Sequence, residues 1–205
     1  MTSLKGQLLV ANPAMPDPNF HRTVVLLLAH QEDGALGVVL NRPSELDVDS
    51  PLPRWERLVA DPPVVFVGGP VAPGAAICLA RMAGPTAGDG TGDGASQGWE
   101  PPDPTRAPGL GGWMPLVGEL GTLDLEGDPD DLAIDVDAIR VFAGYAGWGP
   151  GQLENEIEAG AWFVVPAESG DALSGDPAQL WKRVLRRQGG RLALVAAYPT
   201  DPSLN

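Results

Sequence analysis

Short apolar runs separated by turn-forming Gly, Pro, Asn and Asp recur along the chain and predict strands. The clearest are T-V-V-L-L-L-A-H at residues 23–30 and L-G-V-V-L-N at residues 36–41, which Asp33-Gly34 joins into a β-hairpin. The first run lacks polar alternation, which indicates a strand buried on both faces. Further strands are predicted at residues 8–11, 64–67, 77–81, 120–125, 139–145, 161–165 and 192–198.

Three segments carry helical patterns or helix-capping residues. Residues 52–60 predict a short helix, and residues 150–159 predict a second one after a glycine-rich turn. The third begins at Asp176-Pro177, an N-cap residue followed by proline at the first helical position, and ends at Gly189. Helices and strands mix without strict alternation, so the sequence predicts a compact α+β domain with a largely antiparallel sheet.

Length and composition favour a single domain over residues 1–205. Of the 205 residues, 43% are apolar, which is enough for one sizeable core. No segment approaches the roughly 20 apolar residues of a membrane span. The only cysteine, Cys78, has no partner for an intramolecular disulfide, which suits a reducing compartment. We therefore expect a cytoplasmic protein that does not bind a membrane.

Negative charge is concentrated in one part of the chain. The formal net charge is −14, and residues 83–137 hold twelve acidic residues against one basic residue, Arg106. Residues 83–112 are dense in Gly, Pro and Asp and predict a mobile loop. An EF-hand-like spacing at residues 89–100 lacks flanking helices, so no metal site is predicted. The charge disfavours nucleic acid as a partner.

A glycine-rich stretch, G-Y-A-G-W-G-P-G-Q-L-E-N-E-I-E at residues 144–158, precedes the second helix. Phosphate-binding loops place Lys and Ser or Thr after the last glycine, whereas Gln152 follows here. Glu154, Glu156 and Glu158 lie in the first turns of the helix and repel a phosphate. The stretch therefore predicts a structural turn, and no nucleotide or other cofactor is predicted.

The C-terminal helix carries a basic face, because five of the thirteen Lys and Arg residues fall between Lys182 and Arg191. A solvated face that complements the helix dipole is the default interpretation. A docking face for an acidic partner is the functional alternative, and a nucleic-acid regulator working through this helix is a third.

Few residues suit catalysis. The histidines are His21, at a strand entrance, and His30, near the hairpin turn, and neither belongs to a metalloprotease or serine-hydrolase motif. Cys78 fits a buried structural role. No catalytic residue is predicted from these patterns.

Several blocks together resemble the bacterial YqgE/AlgH family over nearly the whole chain. The blocks are L-K-G-Q-L-L-V-A-N-P, H-Q-E-D-G-A-L-G-V-V-L-N-R-P, V-G-G-P-V, A-G-Y-A-G-W-G-P-G-Q-L-E-N-E-I, A-W-F, L-W and P-S-L-N. The resemblance implies a single α+β domain with a bifurcated sheet that includes a small barrel-like part, and a cytosolic bacterial setting. One branch of the family has been described as a transcriptional regulator linked to alginate production.

The resemblance also points to candidate site residues, because the family's repeated positions include polar and aromatic side chains as well as glycines. Carried over to this chain, the candidate binding residues are His30, Asn41, Arg42, Gly147, Trp148, Gln152 and Glu154.

Two functional hypotheses from different classes follow. The first is a non-enzymatic protein that binds a protein partner or small ligand through the hairpin end and the Gly144–Gln152 turn. The second is a hydrolase or transferase that uses His30 or Glu154 as a base, which would require these residues to converge with Asn41 in one pocket.

Overall fold

A ten-stranded sheet organises the chain in this computed structural model, which describes residues 2–83, 113–125, 127–132 and 135–198. The predicted mobile loop at 83–112 lies outside the described residues apart from Ala83. The strands are β1 (Gln7–Ala11), β2 (Val24–Gln31), β3 (Gly34–Val39), β4 (Pro43–Asp47), β5 (Val64–Val67), β6 (Val71–Met82), β7 (Met114–Val117), β8 (Leu120–Leu123), β9 (Val136–Trp148) and β10 (Trp162–Pro166).

Three α-helices accompany the sheet in the described ranges. They are α1 (Gln152–Glu158), α2 (Pro177–Arg187) and α3 (Gly190–Val195). The start of α2 follows the sequence prediction, since the Asp176 side chain accepts a hydrogen bond from the Gln179 N–H and Pro177 is the first helical residue. The segment predicted as a helix at 52–60 is a 3-10 helix at Pro53–Leu58.

The sheet divides along β9. The main strand order is β10-β1-β2-β3-β9-β6-β8-β7, and almost all neighbours are antiparallel. On one side of β9, Ala146–Trp148 pair with β3, whereas Phe142 and Ala143 pair in parallel with β5. Between them lies Gly144, with φ of +70°. The sheet curls into a half-barrel, which confirms the predicted α+β fold with a bifurcated, largely antiparallel sheet.

Glycines make the division possible because backbones meet there at very short range. A Cβ on Gly68 would lie 2.2 Å from the Gly144 carbonyl oxygen, and one on Gly69 would lie 2.2 Å from the Tyr145 carbonyl carbon. No side chain fits at such distances. The glycines of V-G-G-P and of A-G-Y therefore set the approach of β5 and β6 to β9.

Helices cover both faces of the sheet where β1, β2 and β3 lie. On one face α2 packs against the strands through Leu180, Trp181, Val184 and Leu185. On the other, Leu153 of α1 packs with residues from β1, β2, β3 and β10. This double cover explains why β2 reads as an unbroken apolar run.

The predicted strand at 192–198 is wrong, because residues 190–195 form α3. Gly189 and Gly190, with φ of +70° and +49°, turn the chain after α2. Leu192 and Val195 then pack on the core, whereas Leu194 is 76% exposed, and this spacing of buried residues is helical. The apolar run is too short for its composition to distinguish a helix from a strand.

Other elements differ from the prediction in extent. β4 and β7 were not predicted, and β6 and β9 extend well beyond the predicted 77–81 and 139–145. The helix predicted to begin at 150 begins at Gln152, since Gly151 occupies the N-cap with φ of +70°. These are boundary and edge features, where sequence patterns carry least information.

Candidate functional site

The hairpin turn and the glycine-rich turn lie side by side. His30 is paired with Ala35 across the hairpin, and Ala35 is paired with Trp148 at the end of β9. Gly34 approaches so closely that a Cβ there would lie 2.3 Å from the Trp148 carbonyl oxygen. The hairpin end therefore rests on the turn that leads into α1.

His30 is buried, and both of its ring nitrogens have partners. Its Nε2 lies 2.7 Å from Glu154 Oε1, and its Nδ1 accepts a hydrogen bond of 3.0 Å from the backbone N–H of Leu4. Because Nδ1 is an acceptor, the proton is on Nε2, which donates to Glu154. The Ser3 hydroxyl also donates to the His30 carbonyl oxygen, at 3.0 Å. The pair thus anchors the N-terminal segment to the hairpin.

Glu156 organises the turn itself. Its Oε2 accepts hydrogen bonds from the indole N–H groups of Trp148 at 2.9 Å and Trp162 at 2.8 Å. Its Oε1 accepts from the Gln152 side-chain N–H at 2.9 Å, and the side-chain Oε1 of Gln152 in turn accepts from the Gly149 backbone N–H at 3.1 Å. One carboxylate therefore fixes two tryptophans and the entrance of α1.

Aromatic rings surround this carboxylate. Trp148 and Trp162 meet edge to face at 6.0 Å between centroids, and Phe20 packs against both at 6.3 and 5.5 Å. Edge-to-face and offset contacts of this kind add to the burial of apolar area. Trp148 is therefore a core residue whose polar edge is already satisfied.

Asn41 and Arg42 act at another place in the fold. The Asn41 side chain accepts from the Val24 N–H at 3.0 Å and donates to the Arg22 carbonyl oxygen at 2.9 Å. Arg42 donates to the His21 carbonyl oxygen, and partial burial lowers the pKa of its guanidinium. Both residues hold the chain that enters β2.

The candidate residues therefore divide into two groups. Asn41 bonds to Val24 at the first residue of β2, whereas His30 is six positions further along, a separation of about 20 Å at about 3.3 Å per strand residue. The structure brings together His30, Glu154, Gln152, Trp148 and Gly147. It does not bring Asn41 or Arg42 to them.

The outer surface of the first group is formed by exposed residues of three segments. Gly147 is exposed although it lies within β9, and the turn that precedes α1 is exposed together with Gln152. Glu32 and Asp33 are exposed on the neighbouring hairpin turn, and the Glu154 side chain is 32% exposed. We call this the hairpin-end surface.

Sequence reasoning missed Arg140, which is fully buried in β9. Its guanidinium donates to the backbone carbonyl oxygens of Ser174 at 2.9 Å, Ala172 at 3.2 Å and Ala60 at 3.3 Å. It also donates to the backbone carbonyl oxygen of Asp61. Burial lowers its pKa to about 10, and the nearby Asp61 charge opposes that shift. The signal in the sequence was a lone cation in the apolar strand A-I-R-V-F.

The remaining titratable candidates form no reactive centre in the described ranges. Cys78 is 3% exposed, and burial raises the pKa of its thiol well above the ordinary value, which keeps it protonated. Across those same ranges no three His, Cys, Asp or Glu side chains gather closely enough to hold a metal ion.

The comparisons with known proteins agree with the motifs. A model of the AlgH-like family matches residues 8–193 of the chain. The chain belongs to the YqgE/AlgH family. It is 52% identical to a UPF0301 protein of Streptomyces coelicolor, over 100% of this chain and 97% of the relative.

Two solved structures share the fold. A Corynebacterium diphtheriae protein matches with a TM-score of 0.77 and 31% identity, covering 95% of this chain and 92% of the other. The AlgH protein of Pseudomonas aeruginosa matches with a TM-score of 0.60 and 27% identity, covering 97% and 95%. The names of these proteins state no reaction, so the function of the YqgE/AlgH chain has to be argued from its site.

Proposed function

We propose that this protein acts by binding a protein partner at the hairpin-end surface, without catalysing a reaction. The supporting observation is that His30, Trp148 and Gln152 are already hydrogen-bonded to neighbouring groups, so that they fix the shape of this surface. Both nitrogens of His30, the indole of Trp148 and both ends of the Gln152 amide have partners.

The enzymatic alternative fits this geometry poorly. A histidine that acts as a general base keeps one nitrogen for the substrate while a carboxylate orients the other. Here Glu154 takes one nitrogen of His30 and the Leu4 backbone takes the other. Asn41, which the enzymatic hypothesis placed in the same pocket, bonds to the opposite end of the hairpin.

A rigid surface lowers the cost of binding, because fewer side chains lose freedom on association. At this surface glycines fix the turns, and Glu156 holds the start of α1 through Gln152. The exposed charges are acidic, including Glu32 and Asp33. Nucleic acid is a poor candidate, since the chain as a whole carries a net charge of −14. A protein partner with a basic contact surface fits better.

Membrane attachment and compartment are separate questions. Within the residues that the structure describes, no helix is long and apolar enough to span a membrane. As part of the proposal we place the protein in the cytosol, where a single protonated cysteine at Cys78 is suited to reducing conditions.

The proposal is tested by blocking the surface without disturbing the fold. At Gly147 an added Cβ would have its closest contact at 3.5 Å, with the Tyr145 ring, so Gly147→Arg places a large side chain on the surface at little cost. The matched control is Gly170→Arg, because Gly170 is exposed and an added Cβ there meets nothing within 4 Å.

Affinity capture with the intact chain should retain a partner that Gly147→Arg loses and Gly170→Arg keeps. A thermal-shift screen against nucleotides, coenzymes, metals and metabolites should run in parallel, with His30→Ala and Gln152→Ala as further variants. The proposal fails if capture is identical for both glycine variants, or if a metabolite stabilises the protein and is then turned over.

A further inference from the structure

Positive charge is gathered on α2 and α3, in contrast to the rest of the chain. Residues 177–198 contain five basic residues and no acidic one, although the chain as a whole carries a net charge of −14. Arg187 is engaged, since it forms a bidentate pair with the buried Asp171 at 2.6 and 2.7 Å. The other four cations form no ion pair among the described residues, and they are Lys182, Arg183, Arg186 and Arg191.

Two of these arginines lie on one exposed side of α2. Arg183 and Arg186 are one turn apart on its outer face, and Asp176, Gln179 and Arg187 lie on the same side. Arginine guanidinium groups bind carboxylates through paired N–H donors, so two unpaired arginines on one face suit a partner with several carboxylates.

Apolar side chains are exposed on the adjoining helix. Leu194 is 76% exposed and Tyr198 is 47% exposed, while Leu192 and Val195 of the same segment pack on the core. Arg191 precedes Leu194 by three residues and so shares its face of α3. Arg191 and Leu194 therefore place a cation and an apolar side chain next to each other on the exposed face of α3, and Tyr198 follows one turn later.

We propose that α2 and α3 together form a second docking surface, and that its occupant is an acidic protein segment that also carries aliphatic or aromatic side chains. The carboxylates pair with Arg183, Arg186 and Arg191, and the apolar side chains cover Leu194 and Tyr198. Charge complementarity carries this choice of partner. The surface is distinct from the hairpin-end surface, because α1 and α2 lie on opposite faces of the sheet.

The probe is a fluorescein-labelled peptide of glutamates with two leucines four residues apart, measured by fluorescence anisotropy with the full chain at physiological salt. Two matched peptides accompany it, one with glutamine in place of every glutamate and one with alanine in place of both leucines. We expect a Kd in the micromolar range for the first peptide and binding at least about tenfold weaker for each control peptide, a factor that corresponds to about 1.4 kcal/mol.

The protein variants locate the site. Arg183→Glu/Arg186→Glu should weaken binding at least about tenfold, and Leu194→Ser about threefold to tenfold. Lys5→Glu/Arg57→Glu makes the same change in net charge at exposed positions elsewhere and should leave the Kd within about twofold. Circular dichroism of each variant confirms that α2 and α3 are retained.

Four results would overturn the proposal. They are the absence of binding below millimolar concentrations, equal losses in the two charge-reversal variants, equal binding of the leucine-free peptide, and preferential Leu194-dependent binding to vesicles of anionic lipid. Sedimentation of the chain alone provides a further check. A dimer that Arg183→Glu/Arg186→Glu dissociates would assign the surface to a second copy instead.

Discussion

Two glycines of one motif, Gly144 and Gly147, should respond oppositely to substitution by alanine. Gly144 adopts φ of +70°, and an added Cβ would lie 2.7 Å from the Gly69 carbonyl oxygen and 2.8 Å from that of Val71. Gly147 has no left-handed φ, and its added Cβ would meet its nearest atom at 3.5 Å. Gly144 is therefore needed where the sheet divides, whereas Gly147 has room for a side chain.

The magnitude follows from these contacts. The left-handed conformation costs a non-glycine residue about 1–2 kcal/mol. Relieving two contacts at Gly144 that no ordinary Cβ makes adds about 1–3 kcal/mol of overpacking. Gly144→Ala should therefore lower the free energy of unfolding by about 2–5 kcal/mol. Gly147→Ala should raise it by about 0.4–1 kcal/mol, because alanine reduces the entropy of the unfolded chain.

Urea denaturation followed by tryptophan fluorescence measures both variants. With a slope of about 2–3 kcal/mol per molar urea, Gly144→Ala should lower the midpoint by about 1–2 M, whereas Gly147→Ala should leave it the same or slightly higher. If the two variants unfold within about 0.5 kcal/mol of each other, the close approach of β6 to β9 at Gly144 is not as described.

Three further changes test other parts of the structure. Glu156→Ala removes three hydrogen bonds to a carboxylate and should lower the free energy of unfolding, measured by urea denaturation, by about 3 kcal/mol. The control Glu158→Ala, on the exposed side of α1, should lower it by less than about 0.5 kcal/mol. Arg140→Met leaves buried carbonyl oxygens without donors and should lower the free energy of unfolding by about 3 kcal/mol. An unchanged urea midpoint would contradict the bridging role of Arg140. Burial raises the pKa of the Cys78 thiol, so its contribution to stability is complete below the unfolded pKa of about 8.5 and is lost above it. Between pH 8 and pH 10 the natural chain should lose about 2 kcal/mol more than Cys78→Ala, and equal losses would show that the thiol is not buried.

The sequence predicts those turns and helix ends that are determined by residues close together in the chain. The hairpin around Gly34 and the start of α2 at Pro177 were predicted because turn and cap residues act over a few positions. The strand predicted at 192–198 was wrong because Leu192, Leu194 and Val195 are all apolar, and only tertiary packing decides which of them is buried. Edge strands such as β4 carry proline and acidic residues that conceal them.

The sequence indicates which residues belong to the candidate site, but not how they are arranged in space. The motif residues pointed to His30 and Glu154, yet nothing in the sequence gives their distance of 2.7 Å or the N-terminal contact at Leu4. The sequence alone presents Glu156 as one more acidic residue of the first helical turns, because its bonds to Trp148 and Trp162 depend on where three separate elements meet. Long-range pairings of this kind require the fold.

The state of the His30 ring tests most directly whether the hairpin end is a fixed binding surface or a reactive centre. Nitrogen-15 NMR of histidine-labelled protein distinguishes the two ring nitrogens through their couplings to the carbon-bound protons. The structure predicts a single tautomer at neutral pH, protonated at Nε2 toward Glu154, with Nδ1 accepting from Leu4. A ring protonated at Nδ1, or one that averages between tautomers, would contradict this and return His30 to consideration as a base.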